Sequence, residues 1–161
     1  MLLFSRKPKE ILESVDWGIM VMFVSLFIIM ESLSLNGVTS SISNSLPHLN
    51  SSSQSASLIP VIISSVVLSQ VLSNVPMVAL YIPILKSYGF GPSDSMIWTA
   101  LASSSTLAGN LTILGAASNL IIIEEAEKEG ISISFFEFLR VGVVVTTINI
   151  AVLYLFLLFG L

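Results

Sequence analysis

Leu72-Ser73-Asn74-Val75-Pro76 and, further along, Gly109-Asn110-Leu111-Thr112-Ile113-Leu114-Gly115-Ala116-Ala117-Ser118-Asn119 are polar islands inside apolar sequence. Each interrupts a segment that is otherwise long enough to enter a bilayer. In lipid an unpaired backbone group costs several kcal/mol, so non-helical backbone persists at depth only where protein buries it or a wet cavity runs beside it. Two such interruptions in one short chain point to a binding site built from broken helices, the arrangement found in secondary transporters.

The composition around the islands is that of a membrane protein. Of 161 residues, 54% are apolar and 10% charged, and the mean hydropathy is +0.95, whereas soluble domains carry about 25% charged residues. The six Lys and Arg fall at positions 6, 7, 9, 86, 128 and 140, leaving no basic stripe for nucleic acid to follow. Without cysteine there is no disulfide framework, thiolate metal site or sulfur nucleophile. With one histidine, no paired carboxylates in an apolar setting and no glycine-rich phosphate loop, no catalytic constellation forms. The chain therefore reads as a non-enzyme without a metal, its only expected accessory a coupling ion, Na+ or H+.

The expected fold is an all-α membrane protein in one domain, residues 1–161, with transmembrane helices, one re-entrant hairpin and one discontinuous helix. Residues 1–15 carry Arg6, Lys7 and Lys9 and are placed in the cytoplasm by the positive-inside rule. No small-residue cleavage site closes the following apolar run, so 16–35 is read as a retained span with Trp17 at the interface. Asn36 to Ser57, rich in Ser and Asn and holding Pro47 and His48, is read as an outside loop. Leu58 to Tyr88 could cross the roughly 30 Å core once, or enter, turn at Ser73 to Pro76 and leave on the same side as a 58–88 hairpin. A hairpin puts residues 6, 7, 9, 128 and 140 inside and Lys86 outside; a single crossing puts 6, 7, 9 and 86 inside and 128 and 140 outside. The sharper asymmetry favours the hairpin. Phe90 to Asp94 is a turn, with Ser93 or Asp94 as cap for a broken helix over 95–123 that Gly130 would close. Ile131 to Arg140 is placed at the cytoplasmic interface, and 139–161 is the last span. Such a chain is a multi-pass protein of the cell membrane with a cytoplasmic N-terminus.

Ser73 and Asn74 precede a proline, which removes a donor and disfavours helix before it, so two half-helix ends would meet near mid-membrane and face an ion. The plainer alternative is a proline kink whose freed carbonyls Ser and Asn satisfy. Small residues such as Gly109 and Gly115 fit close helix packing, but the amides of Asn110 and Asn119 are costly in hydrocarbon without a partner. Ser65 and Ser69 are expected to back-bond to the preceding turn. Glu31 is expected in water at the interface, Asn149 as interhelical glue, and His48 exposed.

Leu72-Ser73-Asn74-Val75-Pro76-Met77-Val78-Ala79, the stretch Ala108 to Asn119, and Phe135-Phe136-Glu137-Phe138-Leu139-Arg140-Val141-Gly142 occur in this order. Together they resemble the C-terminal half of the ion transporter superfamily: arsenite permeases, sodium/proton antiporters, the melanosomal P protein, citrate permeases and divalent-anion/sodium symporters. The resemblance runs from about Asp16 to the end. It implies two inverted repeats, each with a re-entrant hairpin and a broken helix, whose tips meet around substrate and coupling ion. Carried over by residue, it puts Ser73 and Asn74 at the hairpin tip and Gly109, Asn110, Thr112, Gly115, Ser118 and Asn119 at the break. The tip of the dicarboxylate symporters reads Ser-Asn-Thr; Val75-Pro76 here is closer to arsenite permeases and the P protein. The expectation is thus a secondary transporter, or its C-terminal half, moving a small inorganic or organic ion. The alternative is a non-transporting subunit or degenerate fragment that assembles with a partner. The expected partners are the lipid bilayer, the ion, and either a second copy or a separate chain carrying the N-terminal repeat.

Overall fold

A computed structural model describes residues 17–45 and 49–160. Arg6, Lys7, Lys9 and His48, with the expectations placed on them, lie outside the described residues. The described residues form helices and no strand: α1 Trp17–Leu35, α2 Val38–Ser45, α3 Gln54–Leu72, α4 Asn74–Ser87, α5 Ser95–Ala108, a 3-10 turn Ile113–Gly115, α6 Ala117–Lys128 and α7 Phe135–Phe159. The all-helical expectation holds. By length and composition α3 and α7 could each cross a membrane, and Val24–Leu35 is a shorter apolar stretch.

The core sits where α3, α4 and α5 meet. Leu58, Val61 and Ile62 of α3 pack with Met77, Tyr81 and Leu85 of α4 and Ile97, Ala100 and Leu101 of α5, and the most extensive helix contact is between α3 and α5. Helices α3 and α4 fold back on each other. Ser64 and Tyr81, on opposite sides of the turn, share a hydroxyl hydrogen bond of 2.6 Å, whereas 17 residues of continuous helix would separate them by about 25 Å. The outer ends meet as well: Gln54 Nε2 donates to Asp94 Oδ1 at 2.7 Å, and Ser51 packs against Gly89. Outside this core, α1 and α2 rest on α4 through Met30, Leu33, Ile42, Leu80 and Ile84. Most apolar side chains of α7, among them Val144, Ile148, Val152 and Phe159, are exposed.

Several local expectations are corrected. The Ser/Asn-rich segment is not all loop: Val38–Ser45 is a helix, tied down by Tyr88 Oη donating to Ser43 O at 3.0 Å. Asp94 occupies the cap position of α5 without capping it; its carboxylate instead accepts from Gly91 N at 2.6 Å and from Gln54. Ser65 and Ser69 are buried with no hydrogen-bond partner among the described residues. Ser64 back-bonds instead, reaching Pro60 O at 2.5 Å and Val61 O at 3.2 Å, the latter being the carbonyl that Ser65 would need. Helix α7 begins at Phe135, inside the stretch assigned to the interface, because Ser134 and Glu137 form a reciprocal capping box there. Gly130, at φ +78°, does close α6, with Ile131 N donating back to Ala126 O.

Candidate functional site

The hairpin turn consists of one residue. Ser73 has φ +62° and ψ 163°, the only positive φ of a non-glycine residue among those described. This backbone region is close to glycine-only and costs of order 1–3 kcal/mol for another residue. The turn therefore falls three residues ahead of Pro76 rather than beside it. Pro76 sits in the first turn of α4, where its missing N–H would have had no helical partner anyway. The first helical bond runs from Met77 N to Ser73 O, and Asn74 Oδ1 accepts from its neighbour Val75 N at 2.9 Å.

The break is longer. After Ala108 the chain tightens into i to i+3 bonds, Asn110 N to Leu107 O and Leu111 N to Ala108 O. Thr112 and Ala116 are extended on either side of the 3-10 turn. Helix breaks leave carbonyls short of helical partners, and two amides reach them here, adding to the backbone donors Leu111 N on Ala108 O and Gly115 N on Thr112 O. Asn119 Nδ2 donates to Gly109 O at 2.7 Å and to Thr112 O at 3.1 Å. From the hairpin, Gln70 Nε2 donates to Ala108 O at 3.0 Å, and Gln70 Oε1 accepts from Thr112 Oγ1 at 2.7 Å. Close backbone approach needs glycine at two points. A Cβ at Gly115 would lie 2.8 Å from Ala108 O and 3.0 Å from Gln70 Oε1. A Cβ at Gly142 of α7 would collide with the carbonyls of Asn110 and Leu111.

The two islands thus belong to one junction, joined through α3, but the candidate residues do not share one cavity. Asn74 opens into a groove of about 350 Å3 between α4 and α5, with Val78, Ser105 and Thr106 on its walls. Asn110 opens into another of about 490 Å3 with Glu137, Phe138 and Gly142. Ser118 is exposed, and Gly109 and Gly115 are buried in the packing of the break. Asn149 lines a third groove beside α5, and no hydrogen bond from its side chain joins two helices among the described residues. Apart from Glu137 at the Asn110 groove, the charges singled out lie elsewhere: Glu31 is exposed, and Lys128 pairs with Glu125 at 2.9 Å and Glu124 at 3.3 Å on the surface. Hydrogen bonds to Glu125 and Glu124 hold that ammonium above the usual lysine range. No cluster able to hold a metal occurs among the described residues.

Sequence reasoning passed over Gln70 and gave Gly142 no role. Gln70 carried the signal used for Asn110 and Asn119, an isolated amide in an apolar run. Gly142 carried none, since its partner is backbone from a distant segment.

Residues 1–103 match the family model described as CitMHS, citrate transporter. An uncharacterized transporter of Mycobacterium tuberculosis is 33% identical over 152 residues, which is 92% of this chain and 35% of the relative. An uncharacterized transporter of Synechocystis is 32% identical over 165 residues, 91% of this chain and 37% of the relative. The P protein of Sus scrofa is 32% identical over 143 residues, 82% of this chain and 17% of the relative. The chain spans about a third of the length of the bacterial relatives. No solved structure matches it. The family match covers the hairpin and most of α5, and the longer relatives carry the likeness across most of the chain: it belongs to the citrate transporter family, within the ion transporter superfamily.

Proposed function

We propose that this chain forms the ion-handling core of a secondary transporter, moving a small inorganic or organic ion across the cell membrane with Na+ or H+ as coupling ion. The observation that carries this reading is the junction itself: two interrupted helical segments, held together by an amide from one of them, as in transporters whose sites lie between broken helices. Ser73 and Asn74 on one side and Gly109, Asn110, Thr112, Gly115, Ser118 and Asn119 on the other are the residues assigned to ion and substrate. The names of the relatives favour transport over a non-transporting subunit.

The hairpin is re-entrant in this reading. Support comes from the meeting of Ser51 and Gln54 with Gly89 and Asp94, which brings both outer ends of α3 and α4 together. Ser57 is buried, so the topology is best probed at the exposed Ser52 and Ser87. Single cysteines at both positions should label from outside, with the N-terminus cytoplasmic; labelling from opposite faces would overturn the hairpin.

The grooves at Asn74 and Asn110 are open, and alternating access needs one element to move against another. The opposing element is a second copy or a chain carrying the N-terminal repeat. In mild detergent the protein should run as a homo-oligomer or bring such a partner with it, and a monodisperse monomer that catalyses flux would refute this. In proteoliposomes holding that assembly, an imposed Na+ or pH gradient should drive movement of labelled citrate or arsenite. Asn74→Ala and Asn119→Ala should each weaken it while expression persists. Parent-like transport by both variants would place the site elsewhere.

A further inference from the structure

Among the described residues, Gln70 is the one side chain that hydrogen-bonds from the hairpin to both sides of the helix break. It lies one turn before Ser73 on α3. Its Nε2 donates to Ala108 O, the last carbonyl of α5, and to Val66 O within its own helix, both at 3.0 Å. Its Oε1 accepts from Thr112 Oγ1, beyond the break, and packs against Gly115 closely enough that a Cβ there would come to 3.0 Å. Asn119 also bridges the break, but from the break's own distal helix, so it shapes the gap without linking it to another element. A hydrophobic side chain at 70 could fill the space. It could neither donate to Ala108 nor accept from Thr112: Ala108 O would keep only its bond from Leu111 N, and the half-buried Thr112 hydroxyl would lose its acceptor, each at some cost.

We infer that Gln70 is a positioning residue that locks the hairpin to the broken helix, so that the Ser73 turn and the 109–116 backbone move as one body during transport. This rests on the proposed transport function for its consequence, not for its geometry. Because the amide must donate on one side and accept on the other, Glu at this position is a discriminating variant. As a carboxylate it faces Ala108 O with no proton to give; as a neutral acid it can again donate there while accepting from Thr112. The groups the amide touches, Val66, Ala108, Thr112 and Gly115, bring no titratable side chain of their own.

The lock is tested first without transport, by melting the full chain in its detergent-purified assembly. Gln70→Ala and Thr112→Val should each lower the melting temperature, and the double variant should lose clearly less than the sum of the two; additive losses would overturn the lock. Gln70→Glu should be destabilised at about pH 8 and recover toward the parent at about pH 5, while Gln70→Ala gains nothing on acidification; equal behaviour of the two variants would count against a donating and accepting amide. In proteoliposomes, Gln70→Ala should lower the maximal rate about tenfold with less than about threefold change in half-saturation. A parent that moves no ion would sink the transport reading and leave the melting cycle to decide the lock. Coupled melting with an unaltered rate would confine Gln70 to stability and refute its part in transport.

Discussion

At the hairpin turn a single residue, Ser73 at φ +62°, reverses the chain, whereas at the break the backbone leaves helix from Gly109 to Ala116. The turn is held by backbone conformation: no hydrogen bond of the Ser73 side chain caps α4, and the Asn74 side chain accepts from its neighbour's N–H. The break is held by tertiary contacts, with amides from Gln70 and Asn119 on its carbonyls and two glycines admitting backbone at close range. A local device and a distributed one therefore sit side by side. They should fail differently: the turn through the strain of one residue, the break through the loss of any of several partners.

The largest effect is expected where α7 meets the break. Alanine in place of Gly142 gains about 1 kcal/mol in helix propensity, but its Cβ would strike the Asn110 and Leu111 carbonyls, and backbone cannot swing aside as a flexible side chain does. Overpacking of this kind costs about 1–3 kcal/mol and more for a larger side chain. Gly142→Val should therefore lose about 3 kcal/mol in a thermal or denaturant melt, and Gly142→Ala a smaller amount. A parent-like melt of Gly142→Val would show that α7 does not seal the break, and the comparison would lose its distributed side.

Asn119→Ala comes next. It strips the donor from Gly109 O and one of two from Thr112 O, which keeps Gly115 N, and a buried carbonyl left unmet costs about 1–2 kcal/mol. Asn119→Asp keeps the shape but offers acceptors to acceptors, so it should melt no better than the alanine variant. If aspartate matched the parent, the two carbonyls would not be what Asn119 serves.

How far these features were legible in the sequence follows the same division. The turn was legible to within a few residues because its chemistry is local: Ser-Asn ahead of a proline, in a run too long and too interrupted for one ordinary helix. The residues alone gave Ser73 to Pro76 and did not single out one of them, since the proline tolerates a first-turn position; the resemblance narrowed the tip to Ser73 and Asn74. The extent of the break could be read from Gly109, Asn110 and Asn119. The pairing could not, because Gln70 meets Thr112 only once α3 lies along the break, and Gly142 is needed only once α7 crosses it. Ser65 and Ser69 misled for the opposite reason. A local rule was applied to both, and both are buried without a partner among the described residues; for Ser65 the neighbouring Ser64 takes the carbonyl of Val61 that it would need.

The smallest effect is expected at the turn, and it has the opposite sign. Glycine adopts positive φ at no steric cost, so Ser73→Gly removes strain that serine carries in the folded state. It also enlarges the freedom of the unfolded chain, which offsets part of the gain. The balance should be a stabilisation of up to about 1 kcal/mol, while Ser73→Val, β-branched and forced to the same φ, should be destabilised. Transport should move the other way. If the serine is held in this conformation so that its hydroxyl faces the ion, Ser73→Gly should be the variant that melts higher and moves ions more slowly. A glycine variant that is both less stable and fully active would mean that the turn does not take this conformation in the working protein, and that both interruptions are held by contacts rather than by one strained residue.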